Sequence, residues 1–230
     1  MVKKQIRLSP STLSLFLECP RCFWLNINEN IHRPRGAFPS LPGAMDSVIK
    51  TYFDKYRLKG ELPLEIRGKI AGRLMDNLEL LKKWRNWKTG LEYKDEILGV
   101  SLFGALDDCL VDSSTSSEQV YYIPVDYKTR GSAPRDGDSE KYYGTQLDCY
   151  ALLLEQNGYP VRDWAYLIYY FPKEVEERGR VNFNVEVIRL KTDPQRAIKI
   201  IEQAIRLLNG PIPPHHSECE YCIWGQNNYA

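Results

Sequence analysis

The chain has 230 residues, enough for one domain with a full hydrophobic core, so neither a metal nor a disulfide is needed merely to hold it folded. Its 43% apolar and 27% charged composition is that of a soluble globular protein, and no apolar run approaches the roughly 18 to 20 residues of a membrane span. Lysine plus arginine (31) and aspartate plus glutamate (30) nearly cancel, which gives no general electrostatic case for nucleic acid and leaves phosphate binding to local clusters.

The opening MVKKQIRLSPS is charged but lacks an apolar stretch and a small-residue cleavage site, so no secretory signal is expected and the expected location is cytoplasmic. Ser9-Pro10 is an N-cap and first-turn signal, after which Leu13, Phe16 and Leu17 recur at helical spacing as far as Cys19-Pro20. An exposed loop is expected from about Asn28 to Leu41, carrying His32, Pro34, Gly36, Pro39 and two arginines. Helical periodicity resumes from Pro42 to Leu58, and a further helix is expected from Leu64 to Trp87, so residues 1–90 read as a helical N-terminal region. The run from Lys82 to Lys88 mixes basic and aromatic residues, and reads more simply as a helix end than as a strand-binding surface.

From Leu91 three antiparallel strands are expected, LEYKDEILG, VSLFGALDDCLVD and EQVYYIPVDYKTR, with the Ser/Thr linker SSTSSE between the last two. A polar loop with Gly131, Pro134, Gly137 and Asp138 precedes an amphipathic helix from Ser139 to Gln156, closed by Asn157-Gly158. Strands from Arg162 to Phe171 and from Arg180 to Lys191 and a helix from Asp193-Pro194 to Asn209-Gly210 complete a core over 91–210; the tail 211–230 carries PIPPHHSECEYCIWGQ. The expected class is α/β (α+β), a single domain with a mixed sheet core flanked by helices.

The linker is centred near Ser116 and Ser117, so folding its flanking strands back symmetrically sets Asp107 opposite Asp126. Opposed carboxylates destabilise a sheet unless something neutralises them, and a hard cation such as Mg2+ or Mn2+ is the natural remedy. Lys128 then projects on the side of Asp126, while Tyr127 points away and offers its backbone carbonyl; a slip of one residue would present Asp108 instead. A metal with an adjacent ammonium suits phosphodiester hydrolysis, in which Lys128 orients the attacking water or stabilises developing negative charge. Gln146 and Tyr150 share a face of the next helix at i, i+4 spacing. For the Asp-x-Lys tripeptide alone, a solvated hairpin is the simpler reading.

With these features in this order, the chain resembles the PD-(D/E)XK nucleases of the RecB-like branch, in particular the CRISPR-associated RecB-like exonucleases with a cysteine-bound cluster. VDYKT resembles the family's third motif, with Asp126 and Lys128 in the metal and catalytic positions, and GALD the second, with Asp107 as metal ligand. QLDCY resembles the Gln-x-x-x-Tyr element, in which Gln146 and Tyr150 would position substrate. Where the family often presents a histidine ligand on a helix before the sheet, Gly43-Ala44-Met45-Asp46 places Asp46, either a third carboxylate ligand or a helix-start charge. The resemblance implies a restriction-endonuclease-like fold and Mg2+- or Mn2+-dependent hydrolysis of DNA, single-stranded or at free ends. It implies partners in CRISPR adaptation, recombination or repair, and none in a membrane. The alternative is a catalytically silent nuclease-fold module that binds DNA or protein. Arg130, Arg135 and Lys141, with Tyr142 and Tyr143 nearby, are candidates to grip a phosphate backbone and stack on bases.

Four of six cysteines form two pairs, Cys19-Pro20-Arg21-Cys22 and Cys219-Glu220-Tyr221-Cys222, whose union would clamp the two ends of the chain together. By count, four thiolates satisfy zinc or an iron-sulfur cluster equally well, and metal-free structural cysteines are the third reading. The resemblance favours a 4Fe-4S cluster with Zn2+ as the alternative; the resembling nucleases use one N-terminal and three C-terminal cysteines, and since no cysteine follows Cys222, Cys22 must complete the set here. His215 and His216 are expected to be solvated, and Cys109 and Cys149 to be small buried hydrophobes.

Overall fold

The computed structural model describes residues 5–34, 36, 40–113 and 119–229; most of the Ser/Thr linker, together with Arg35 and Pro39 of the expected loop, lies outside the described residues. Strand β1 (Ile6–Leu8) leads into α1 (Pro10–Glu18). Ser9 caps α1 reciprocally: its hydroxyl accepts from the Thr12 N–H at 3.2 Å, and the Thr12 hydroxyl accepts from the Ser9 N–H at 2.7 Å. Cys19 separates α1 from α2 (Pro20–Asn28), and α3 (Ser40–Lys59) follows.

The helix expected from Leu64 to Trp87 does not form as one. Residues 64–77 are turns and bends with the two-residue strand β2 (Arg73–Leu74), and only α4 (Leu78–Arg85) is helical. Gly68 and Gly72 hold φ of +77° and +86°, and a Cβ on Gly72 would stand 2.7 Å from the Val111 carbonyl oxygen, so the chain crosses close against the sheet here. With β1 and β2 present, the first 90 residues are not purely helical.

The expected strand VSLFGALDDCLVD is likewise two strands in two sheets. β3 (Leu91–Asp95) and β4 (Val100–Gly104) form an antiparallel hairpin, to which β1 adds in parallel along β4. After the break come β5 (Asp108–Asp112), β6 (Tyr121–Thr129), α5 (Asp138–Gln156), β7 (Trp164–Val175), β8 (Val181–Lys191), α6 (Pro194–Leu208) and α7 (Glu220–Tyr229). The second sheet has the order β2-β5-β6-β7-β8 and is antiparallel except where α5 carries the chain from β6 over to the parallel β7. The break at 105–107 has a local cause: Leu106 is fully buried and its N–H donates to the Trp84 carbonyl at 3.0 Å rather than to a strand.

β5 and β6 pair Asp108 with Val125, Cys109 with Pro124 and Leu110 with Ile123. One step further along the same register, Asp107 stands level with Asp126, the symmetric fold-back expected from the linker. Alternation then sorts the side chains. Leu110, Ile123, Val125 and Tyr127 join Ile49 and Phe53 of α3 in one core, whereas Asp126 and Lys128 turn to the face covered by α5. The larger core on that face includes Leu147 and Leu153 of α5, Leu167 and Tyr169 of β7, and Ile201 and Ile205 of α6.

The chain ends meet. Arg21 Nη1 donates to the Pro213 carbonyl at 2.7 Å, Trp24 Nε1 to that of Gly210 at 3.1 Å, and Asn28 Nδ2 to that of Leu208 at 3.0 Å. No described helix is long and apolar enough to cross a membrane.

Candidate active site

Asp126 is 1% exposed, a depth at which an ionised carboxylate requires partners. Lys128 Nζ lies 2.5 Å from its Oδ2, and Gln146 Nε2 donates to its Oδ1 at 2.8 Å. Gln146 also accepts from Lys128 Nζ at 3.1 Å and donates to the Tyr150 hydroxyl at 2.7 Å, so one amide holds the carboxylate, the ammonium and the phenol together. The ring of Tyr143 sits 4.2 Å below Lys128 Nζ and gives the cation an apolar floor. The Lys128 contact to Oδ2 is an ion pair outside hydrogen-bond geometry, which leaves Oδ2 buried with no hydrogen-bond donor among the described residues.

Asp107 faces this group from the end of β5. Its Oδ2 accepts from the Tyr127 N–H at 3.3 Å, and its Oδ1 from Lys50 Nζ at 2.6 Å; Lys50 also reaches Asp46 Oδ2 at 2.8 Å. Lys50 was not anticipated, although its i, i+4 spacing from Asp46 on α3 is the signal that could have found it. Burial works against its charge, but Asp107 and Asp46 more than offset this and raise its pKa.

A second unanticipated cluster holds Asp107 from behind. Asp108, fully buried on the α3 face, accepts from Arg57 Nη2 at 2.6 and 2.7 Å, Arg85 Nη2 at 2.9 Å and the Tyr127 hydroxyl at 2.5 Å. Arg85 Nε then donates to the Asp107 carbonyl at 2.7 Å, and its Nη1 to Asp54 at 2.8 Å. The peptide that carries Asp107 is thereby fixed to α3 and α4. The Tyr127 side chain belongs to this cluster, while its carbonyl lies on the strand edge from which its N–H meets Asp107.

Not every expected residue joins the site. Arg130 is engaged at 3.3 and 3.4 Å by Asp138 at the start of α5. Asp46 has a 40% exposed side chain with Lys50 standing between it and Asp107. Among the described residues the three carboxylates form no ligand cluster of the kind the four cysteines do.

Burial raises the pKa of Asp126, the Asp107 charge adds to this and Lys128 opposes it, with the result pushed up to about 7 from 3.8. A buried carboxylate oxygen paired with the Lys128 ammonium, an opposed carboxylate and a backbone carbonyl edge are hard donors that fit Mg2+ or Mn2+. The linkage has a definite sign. A carboxyl whose folded pKa exceeds its unfolded value contributes stability below the unfolded pKa that is lost as pH rises through the folded one. Chelator-treated wild type is therefore expected to lose thermal stability relative to Asp126→Asn between pH 3.8 and about 7, and added Mn2+ to reverse the loss. Parallel melting curves for the two proteins would contradict this.

Beside Gln146 and Tyr150 opens a cavity of about 590 Å³, with Trp87, Phe103, Tyr142 and Arg33 in its wall. Trp87 and Tyr142 are 72% and 57% exposed, so flat rings line the cavity that Gln146 and Tyr150 border.

The four cysteine sulfurs lie within 4.8 Å of one another and all four residues are buried. Cys19 Sγ is 3.6 Å from Cys222 Sγ, and Cys22 Sγ is 3.7 Å from Cys219 Sγ. Both pairs sit at helix starts: Cys19 is the N-cap of α2, its sulfur accepting from the Cys22 N–H at 3.4 Å, and Cys219 precedes α7. Burial pushes the Cys219 thiol up, but the Cys222 N–H and the neighbouring Cys19 and Cys22 outweigh it and bring it to about 7, favouring thiolate.

The family model of the PD-(D/E)XK nuclease superfamily matches residues 7–226. No curated protein is similar enough in sequence to stand as a relative.

Proposed function

The chain belongs to the PD-(D/E)XK nuclease superfamily, and we propose that it is a Mg2+- or Mn2+-dependent DNA nuclease whose chemistry takes place at Asp107, Asp126 and Lys128. The observation that carries this reading is the buried Asp126 locked to Lys128 and Gln146, level with Asp107 on the neighbouring strand. Asp107, Asp126 and the Tyr127 carbonyl would hold the metal, and Lys50 keeps Asp107 neutralised from the other side. When bound, a divalent cation polarises the scissile phosphate and lowers the pKa of water.

The remaining work belongs to side chains. Lys128, fixed by Gln146 and Tyr143, presents an ammonium where negative charge develops on the phosphate, and orients the attacking water. Gln146 and Tyr150 form the boundary between the carboxylates and the aromatic cavity, which suits them to align a strand. Exposed rings there stack on unpaired bases, which favours single-stranded DNA or frayed ends and exonuclease action. By its resemblance to the RecB-like branch, the protein would work with CRISPR adaptation, recombination or repair proteins.

The cysteine site, with four buried sulfurs within 4.8 Å of one another, suits a bound metal, a 4Fe-4S cluster by the resemblance with Zn2+ as the alternative. Its role is structural, since it pins α2 to the C-terminal segment. A catalytically silent module is the competing reading, but such a protein has no need of a lysine packed on a buried carboxylate.

The test is cleavage of end-labelled single- and double-stranded DNA with Mg2+, Mn2+ or chelator. Metal-dependent loss of label from single strands is expected; no cleavage under any condition would leave the silent module.

A further inference from the structure

Arg33 stands between the cysteine site and the cavity beside the catalytic residues. Asn30, at a left-handed φ of 56°, turns the chain back after α2, and the Ile31 N–H reaches the Leu25 carbonyl at 3.0 Å. That turn delivers the Arg33 guanidinium over the Tyr221 ring at 4.6 Å. Its Nη1 donates to Glu18 Oε1 at 2.6 Å and its Nη2 to Cys219 Sγ at 3.4 Å, while Nε is buried without a hydrogen-bond partner among the described residues. Arg33 lines both the cavity of about 590 Å³ that holds Gln146 and Tyr150 and a second of about 580 Å³ over Cys22 and Cys222.

Charge balance gives this placement a meaning. Four thiolates around one Zn2+, or around a 4Fe-4S core in its 2+ state, carry roughly two net negative charges, and buried charge is costly unless paired. A guanidinium against one of the sulfurs supplies part of the balance. Its planar fork engages sulfur and carboxylate at once, and its face stacks on the ring, which an ammonium cannot reproduce.

Resting on the reading of the four cysteines as a metal site, we propose that Arg33 is the outer partner of that site, stabilising the bound metal and tying its occupancy to the wall of the DNA-binding cavity. The same guanidinium lines the cavity beside Gln146 and Tyr150, so the contacts that hold it at the sulfur and the Tyr221 ring also fix a cation in that wall.

The experiment compares purified wild type, Arg33→Gln and Arg33→Lys. Metal per chain is measured by elemental analysis, the rate of metal release to a chelator is followed by absorbance, and KM and kcat are measured on a single-stranded oligonucleotide. Arg33→Gln is expected to release metal at least about tenfold faster than wild type, with Arg33→Lys between the two. KM is expected to rise several-fold in Arg33→Gln with kcat retained. Wild type purified without stoichiometric metal would overturn the metal reading and the proposal with it. Stoichiometric metal released at the same rate from wild type and Arg33→Gln, or an unchanged KM, would overturn the proposal alone.

Discussion

Asp126→Asn is expected to lower DNA cleavage by at least about a thousandfold and to abolish saturable Mn2+ binding, while Lys128→Gln loses a similar factor in kcat and keeps Mn2+ binding. The two substitutions remove different things. Asp126 is buried, with one oxygen held by Gln146 and the other paired with Lys128, so its loss leaves Asp107 as the remaining carboxylate on the α5 face of the strand ends. Lys128 contributes its charge from beside that carboxylate, held by Gln146 and the Tyr143 ring. Calorimetric titration of Mn2+ into each variant, alongside single-turnover cleavage, separates the two roles. If both variants bound Mn2+ as wild type does and cleaved within tenfold of it, the site would lie elsewhere.

Arg57→Ala is expected to destabilise the fold by about 3 kcal/mol, the low end of the cost of breaking a buried ion pair, because Asp108 keeps a second cationic partner in Arg85. The side chains of Arg57 and Asp108 are each 1% exposed, and the guanidinium also donates to the Met75 carbonyl at 2.6 Å. Asp108 would retain Arg85 and the Tyr127 hydroxyl, so the loss falls mainly on the link between α3 and the β5 strand end. Urea unfolding measures it, with Arg73→Ala as control, because Arg73 pairs with Asp76 on the surface and such pairs contribute little. A midpoint for Arg57→Ala no lower than that of the control would show that the cluster does not hold the fold.

The hairpin was legible from sequence because its evidence is local. A short polar linker between two β-rich runs sets a register, and the period of two then decides that Asp107 rather than Asp108 faces Asp126. The Gln146 and Tyr150 pair was legible for the same reason, since helical spacing alone puts them on one face. What escaped depends on tertiary contact. Nothing in VSLFGALDDCLVD shows that α4 captures Leu106 and Asp107 through Trp84 and Arg85, so one strand was expected where two sheets part. Positive φ at Gly68 and Gly72 likewise overrode a helical pattern from Leu64 onward. Arg57, Arg85 and Lys50 sit on helices whose packing partners lie 22 to 57 residues away, and charge on a helix face does not announce its partner. The cysteine spacing foretold that the chain ends meet, and the four sulfurs gather within 4.8 Å of one another.

The most direct measurement is anomalous diffraction at the manganese edge from a crystal soaked in Mn2+. A single strong peak is expected between Asp107, Asp126 and the Tyr127 carbonyl, with Lys50 drawn away from Asp107. Manganese absent from that position, at a concentration that supports DNA cleavage in solution, would contradict it.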